Sequence, residues 1–316
     1  MRILVVGAGA IGGYFGGRLL QAGRDVTFLV RPRRAAQLAK TGLVIRSGFG
    51  DADLPSPPTV TAGALRAAFD LVLLSCKAYD LPDAAESLAP AVARNTAILP
   101  LLNGMRQIDF LTARFPDSAV LGGLAVISTT LDVQGRIVHL NDVHIMGFGE
   151  RDGARSARIE AVAAALSGAG FDAQLSDNIV QQMWDKWVFI AATAGITCLM
   201  RAAVGDVVAA GAAGLSTALL DECCAVAAAQ GFAPSAASVA HMRATLTAPG
   251  STFAASMLRD IEGGAPIEAD HIVGDLTRRA GTLGEQALLR IAEAHLRAYE
   301  ARRAREAAAA PASAIR

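Results

Sequence analysis

The sequence predicts an α/β protein, an N-terminal Rossmann-type parallel sheet followed by a C-terminal all-α domain. Short β-branched runs alternate with helix-like apolar segments through the first half. A glycine-rich run directly follows the first of them, and from about Ser176 the pattern becomes wholly helical, rich in Ala and Leu. At 316 residues the chain is about twice the usual domain length of ~150 residues, so two domains are expected, 1–175 and 176–316. With 53% hydrophobic and only 18% charged residues, both can bury a core and neither reads as disordered.

In order along the chain, Ile3 to Val6, Val26 to Val30, Asp70 to Cys76 and Ala97 to Leu101 are the expected strands. Ile11 to Gln21 and Leu81 to Val92 are helical by periodicity, and the Pro/Ser/Asp-rich piece from Ser47 to Pro58 reads as an irregular loop. Arg136 to Glu150 reads as a hairpin at the sheet edge, two short strands turning at Asn141-Asp142. A last short strand, FDAQL, precedes a helix that Ser176 or Asp177 would cap. Beyond it, breaks fall at Gly231, Pro249-Gly250 and Gly263-Gly264. Gln286 to Arg305 forms a core-packing terminal helix, and the low-complexity tail, about 309–316, is expected to fray.

Composition excludes several functions. Twenty-nine basic against 29 acidic residues leave no net field to attract nucleic acid or an anionic membrane. The apolar stretch Val207 to Leu220 falls short of the ~18 residues a membrane span needs, and the opening MRILVVG is too short an apolar run for a signal sequence. Four cysteines without a C-x-x-C pair fit a reducing cytoplasm, and five scattered histidines show no metal-ligand spacing, so no metal is expected.

Gly7-Ala8-Gly9-Ala10-Ile11-Gly12 is a G-x-G-x-x-G run between a strand and a helix. Gly7 permits the tight turn, Gly9 lets the backbone approach a pyrophosphate, and Gly12 lets the helix pack on the strand. The alternative is an incidental glycine turn in a chain with 31 glycines. At the end of the second strand no acidic residue awaits a ribose hydroxyl. Arg31-Pro32-Arg33-Arg34 stands there instead, which favours the 2′-phosphate of NADP(H), against the plainer reading of arginines solvating a helix start.

Lysine is scarce. Of the 29 basic residues only Lys40, Lys77 and Lys186 are lysines, and an ammonium, unlike a guanidinium, can surrender a proton. Lys77 follows a strand at its carboxyl end, where ligands of doubly wound sheets sit and where surface lysines are equally common. Lys186 shares a helix face with Ile179, Met183, Ile190 and Ala194. It is either a snorkelling lysine or an ammonium whose pKa burial lowers towards neutrality.

Over essentially its whole length the chain resembles the ketopantoate reductase (2-dehydropantoate 2-reductase) family. The resemblance is carried by GAGAIGG, Arg31, CKAYD around Lys77, LLNGM around Asn103, MWDKW with Lys186, and SMLRDI followed by EADHI. It implies reduction of a 2-oxo acid by NADPH in pantothenate biosynthesis, in a cleft between a Rossmann and a helical domain. By position it implies Gly7 to Gly12, Arg31, Lys77 and Asn103 as cofactor contacts. Asn103, Lys186 and Ser256 would contact the substrate, with Lys186 as proton donor and Glu268 as the acidic residue near it. A small-molecule substrate is the partner implied, and pairing through the helical domain would give a homodimer.

The chain departs from the family where asparagines hold the substrate's polar groups: Ile190, Ala194 and Val204 stand there, and Thr193 and Thr197 nearby offer partial replacement. A pocket without those amides favours a more apolar oxo acid, because each unmade buried hydrogen bond costs about 1–3 kcal/mol. Rival readings are a 3-hydroxy acid or opine-type dehydrogenase and a non-catalytic NADP sensor.

Overall fold

Apolar β-branched runs in the amino-terminal half form parallel strands in the computed structural model, which describes residues 1–281, 283 and 286–309. In chain order come β1 (Arg2–Val6), α1 (Ala10–Gln21), β2 (Asp25–Leu29), α2 (Pro32–Thr41), β3 (Leu43–Arg46), β4 (Ala52–Leu54) and β5 (Thr59–Val60). They are followed by β6 (Leu71–Leu74), α3 (Leu81–Leu88), β7 (Ala97–Pro100), α4 (Arg106–Arg114), β8 (Gly122–Leu131), β9 (Ile137–Gly149), α5 (Ala157–Leu166) and β10 (Asp172–Leu175). These build a first unit, Met1–Met183.

The main sheet has the order β5-β2-β1-β6-β7, all parallel. Its central strands are buried on both faces, as Ile3, Leu4, Val5 and Leu71 to Leu74 show, which is why they read as continuous apolar runs rather than alternations. Val6 pairs with both Leu29 and Leu74, and Leu74 with Pro100, so the carboxyl ends of β1, β2, β6 and β7 lie along one edge.

A second sheet has β9 at its centre, paired antiparallel with β8 along one edge and parallel with β3 and β10 at different ends of the other. Helix α1 fits between the two sheets on glycines. A Cβ at Gly16 would stand 2.6 Å from Phe28 and 2.9 Å from Val5 of the main sheet, and one at Gly17 2.8 Å from Ile45 and Leu43 of the second.

Two sequence expectations are corrected here. The stretch Arg136 to Glu150 is no hairpin: β9 runs through it unbroken, and its antiparallel partner is β8. Asn141-Asp142 lies where the register shifts, and the Asn141 Oδ1 accepts from the Ser128 N–H at 2.9 Å, so the turn residues are absorbed in a bulge. The loop from Ser47 to Pro58 contains β4, an edge strand that β3 recruits by antiparallel pairing. In a smaller difference, α3 stops at Leu88 and Ala89–Ala91 continue as a 3-10 turn around Pro90.

Helix α6 (Ile179–Met200) begins in the first unit. Most of it belongs to the second, Trp184–Arg316, with α7 (Val204–Ala209), α8 (Ala213–Ala229), α9 (Ala236–Leu246), α10 (Ser256–Glu262), α11 (Asp275–Ala280) and α12 (Ala287–Ala309). The division thus falls inside α6, eight residues beyond the break at residue 175 that composition indicates, because Ile179 packs against Gly122 and Gly149 of the first unit. Neither expected cap begins this helix. Ser176 Oγ accepts from Asn178 N, and Asn178 O accepts from Gln182 N. Residues 310–316 of the tail lie outside the described residues, and no described helix is long and apolar enough to cross a membrane.

Gly16→Ala tests the close approach of α1. The added methyl must displace Phe28 and Val5, and stability is expected to fall by about 1–3 kcal/mol, read as a lower urea midpoint with an unchanged slope. An unchanged midpoint would show that α1 does not need the glycine.

Candidate functional site

The loops that leave the carboxyl edge of the main sheet carry the sequence-predicted cofactor residues, Gly7 to Gly12, Arg31, Lys77 and Asn103. Gly7, just after β1, has φ +94°, a conformation that only glycine adopts without strain, and its N–H donates to Leu29 O at 2.9 Å. Gly9 is the N-cap of α1, and no side chain caps that helix. A Cβ on Gly9 would meet nothing within 4 Å, so the backbone lies open, whereas one on Gly12 would collide with Gly7 O and Ser75 Oγ. Ser75, missed by the sequence reading, donates to Val6 O at 3.0 Å and fixes the loop from the end of β6. Ala10 and Ile11 form the first turn of α1, and Ala8 O accepts from Arg34 Nε at 3.0 Å.

Arg31 is the N-cap residue of α2, and its Nη2 meets Asp80 Oδ1 at 2.5 Å with most of the side chain in solvent. Arg34 is more deeply set. Its Nη1 donates to Gln37 Oε1 and Gly135 O, burial lowers its pKa, and its Nη2 is buried with no hydrogen-bond partner. An orphaned guanidinium nitrogen beside an open glycine loop fits an anionic ligand, and an uncapped helix N-terminus fits a pyrophosphate. Lys77 is exposed just before the 3-10 turn Ala78–Asp80. Asn103 sits in the loop after β7, where Gly104 takes φ +85°. The fully buried Gln107 donates to Leu102 O at 3.3 Å and Gly104 O at 2.6 Å, clamping the backbone on both sides of Asn103.

The helical unit holds the remaining candidates. Lys186 projects from α6, partly buried. Desolvation pushes its ammonium down to about 8 while the Glu268 carboxylate acts in the opposite direction. Glu268 lies just before, rather than within, the helical stretch that opens at Ala269, and its carbonyl accepts from Ile272 N at 3.0 Å. That stretch passes through a π turn, Asp270–Gly274, before α11. The Trp187 indole donates to Ile272 O inside this turn at 2.9 Å, and the Arg279 guanidinium lies 5.8 Å and 5.5 Å from the Trp184 and Trp187 rings. These contacts fix the Glu268 segment against α6.

Ser256 is the exposed first residue of α10. Ala194 and Val204 are buried and Ile190 is partly buried. The Thr193 and Thr197 hydroxyls donate to Phe189 O and Thr193 O at 2.7 Å each, inside α6, which leaves their oxygens as acceptors only. His139 and His144 are packing residues: the His144 Nδ1 and the Tyr14 hydroxyl share a 2.7 Å hydrogen bond, and His139 bonds Ser47 Oγ at 2.9 Å. Burial raises the Cys198 thiol to about 12 and Cys224 to about 11, which suits inert thiols rather than nucleophiles.

The family model for the ketopantoate reductases PanE/ApbA matches residues 3–153, and that for their C-terminal region matches 178–290. The uncharacterized oxidoreductase YkpB of Bacillus subtilis is 41% identical over 304 residues, 95% of this chain and 99% of its own length. The 2-dehydropantoate 2-reductase of Archaeoglobus fulgidus is 31% identical over 284 residues, covering 90% and 92% of the two chains. The crystal structure of 2-dehydropantoate 2-reductase from Methylococcus capsulatus superposes with a TM-score of 0.85 at 31% identity, over 96% of this chain and 98% of that one. The chain therefore belongs to the ketopantoate reductase family and is an oxidoreductase acting between C=O and CH–OH.

Proposed function

We propose that the protein reduces a 2-oxo acid to a 2-hydroxy acid with NADPH, Lys186 acting as the proton donor. The observation that carries the proposal is the desolvated Lys186 ammonium, at about 8, beside Glu268. An acid of that pKa is charged at neutral pH yet gives up its proton readily, which is what a general acid needs. Gly7, Ala8, Gly9, Ala10, Ile11 and Gly12 would hold the pyrophosphate, Arg31 with Arg34 the adenosine phosphate, and Lys77 and Asn103 the nicotinamide side. When bound, the reduced nicotinamide supplies a hydride. Lys186 neutralises and protonates the carbonyl oxygen as it gains charge, and Asn103, held by Gln107, orients that carbonyl. Glu268 keeps the lysine protonated against its burial, and Ser256 contacts the substrate.

Family membership favours 2-dehydropantoate as substrate, and with it pantothenate biosynthesis. Ile190, Ala194 and Val204, together with the internally bonded Thr193 and Thr197, favour a more apolar oxo acid of the same class.

NADPH oxidation against a panel of 2-oxo acids tests the reading, and loss of about 10²- to 10⁴-fold in kcat is expected for Lys186→Ala. Full turnover in that variant, or none with any 2-oxo acid in the wild type, would overturn it. Because only protonated Lys186 can donate, the rate of reduction should fall as pH rises through about 8, while oxidation of the hydroxy acid should rise over the same interval. In Glu268→Gln the charge that raises the lysine pKa is gone, so the falling limb should move to lower pH. Arg31→Ala should weaken NADPH binding about ten- to a hundredfold and NADH binding far less, and equal losses would count against phosphate reading.

A further inference from the structure

We infer that Phe189 and Phe253 form an aromatic shelf on the Lys186 face of α6 that receives an aryl group, so that the acid this protein reduces is an aryl-substituted 2-oxo acid. The inference rests on the reading of Lys186 as the proton donor to a 2-oxo acid.

Helical spacing puts Phe189, Ile190, Thr193 and Ala194 on the turns that follow Lys186, three, four, seven and eight residues on. Beside them, the Phe253 ring lies nearly parallel to that of Phe189, 5.8 Å between centroids and 7° between planes. Phe253 comes from the segment between α9 and α10, and its backbone is tied down on several sides. Phe253 O accepts from Val204 N at 2.9 Å, Ser251 O from Gly205 N at 2.8 Å, and Phe253 N donates to Ser251 Oγ at 3.2 Å. Two residues on, Ala255 N donates to Thr197 Oγ1 of α6 at 3.4 Å. Gly205 approaches the segment so closely that a Cβ there would collide with the Ser251 backbone.

A phenyl ring held this firmly still leaves 40% of its residue's surface in solvent. A rigid apolar surface kept open costs free energy in the unliganded protein, and an aromatic group stacked on the pair recovers it, since offset parallel rings attract beyond the area they bury. The same face rejects polar substituents. Its residues after the lysine are aliphatic or aromatic apart from Thr193 and Thr197, and those hydroxyls donate within the helix. A substrate hydroxyl buried there would lose its water without gaining a donor from the threonine hydroxyls, whose hydrogens are already used within the helix. Lys186 at one end of the face and the ring pair beside it match a molecule with a carbonyl at one end and an aryl group at the other.

The test compares kcat/KM for NADPH oxidation with phenylpyruvate and benzoylformate against 2-oxobutyrate and 2-dehydropantoate. Wild type is expected to favour the better aryl acid over both aliphatic acids by about tenfold or more. In Phe253→Ala the phenylpyruvate to 2-oxobutyrate ratio should fall about five- to tenfold, through a higher KM for phenylpyruvate, and Phe253→Tyr should restore it. Phe253→Leu, which keeps bulk without a ring, should leave the ratio low. Preference of the wild type for the aliphatic acids, or an unchanged ratio in Phe253→Ala, overturns the shelf and leaves the reductase reading standing. No oxidation with any of the four acids overturns the reductase reading itself.

Discussion

The hydrogen bond from the Trp187 indole to the Ile272 carbonyl joins the segment of α6 that carries Lys186 to the segment that carries Glu268. Trp187 is the immediate neighbour of Lys186, and Ile272 lies in the π turn one helical step beyond Glu268. A regular α-helix would keep its carbonyls for itself. The wider turn lets one of them take a side-chain donor from another helix, and the stacked Arg279 guanidinium holds the same pair of tryptophans from the carboxyl end of α11. The carboxylate and the ammonium are thereby held near each other by groups that do not themselves react. The two act in opposite directions on the lysine: burial disfavours its charged form, and the neighbouring carboxylate favours it.

A different constraint governs the first unit. Because Val6, Leu29, Leu74 and Pro100 share a register, every loop that leaves the main sheet at its carboxyl edge starts from the same level. Small groups then set the detail. Ser75 bonds the end of β1, Gln107 clamps the backbone around Asn103, and α1 lies against both sheets because glycines let it. The two hydrogen-bonded contacts run from a side chain to backbone carbonyls, so they fix the course of the main chain from the inner side of each loop.

Much of this was legible in the sequence. The glycine loop was, because a positive φ at Gly7 and contact at Gly12 leave no other residue suitable, and so were the central strands, whose two buried faces demand unbroken apolar runs. The departures have local causes of two kinds. Asn141-Asp142 carries the composition of a turn, but a side-chain bond to the partner strand turns it into a bulge, and β4 has loop composition yet pairs because β3 offers an open edge. Other features are set by residues far apart in the chain, 85 positions in the case of Trp187 and Ile272 and 49 for Arg31 and Asp80. No periodicity reports such pairs. The hydroxyls of Thr193 and Thr197 are an intermediate case: their type was visible, and their engagement with their own helix was not.

The rarity of lysine in this chain has a practical consequence. Amine-directed acylating reagents attack only the unprotonated form, and the chain offers them the α-amino group, Lys40, Lys77 and Lys186. At mildly alkaline pH a side chain shifted to about 8 is largely nucleophilic while an ordinary lysine remains almost wholly charged. Covalent tagging under those conditions therefore falls on Lys186 and on the α-amino group, whose ordinary pKa is also about 8, and the position of the tag in the sequence tells the two apart.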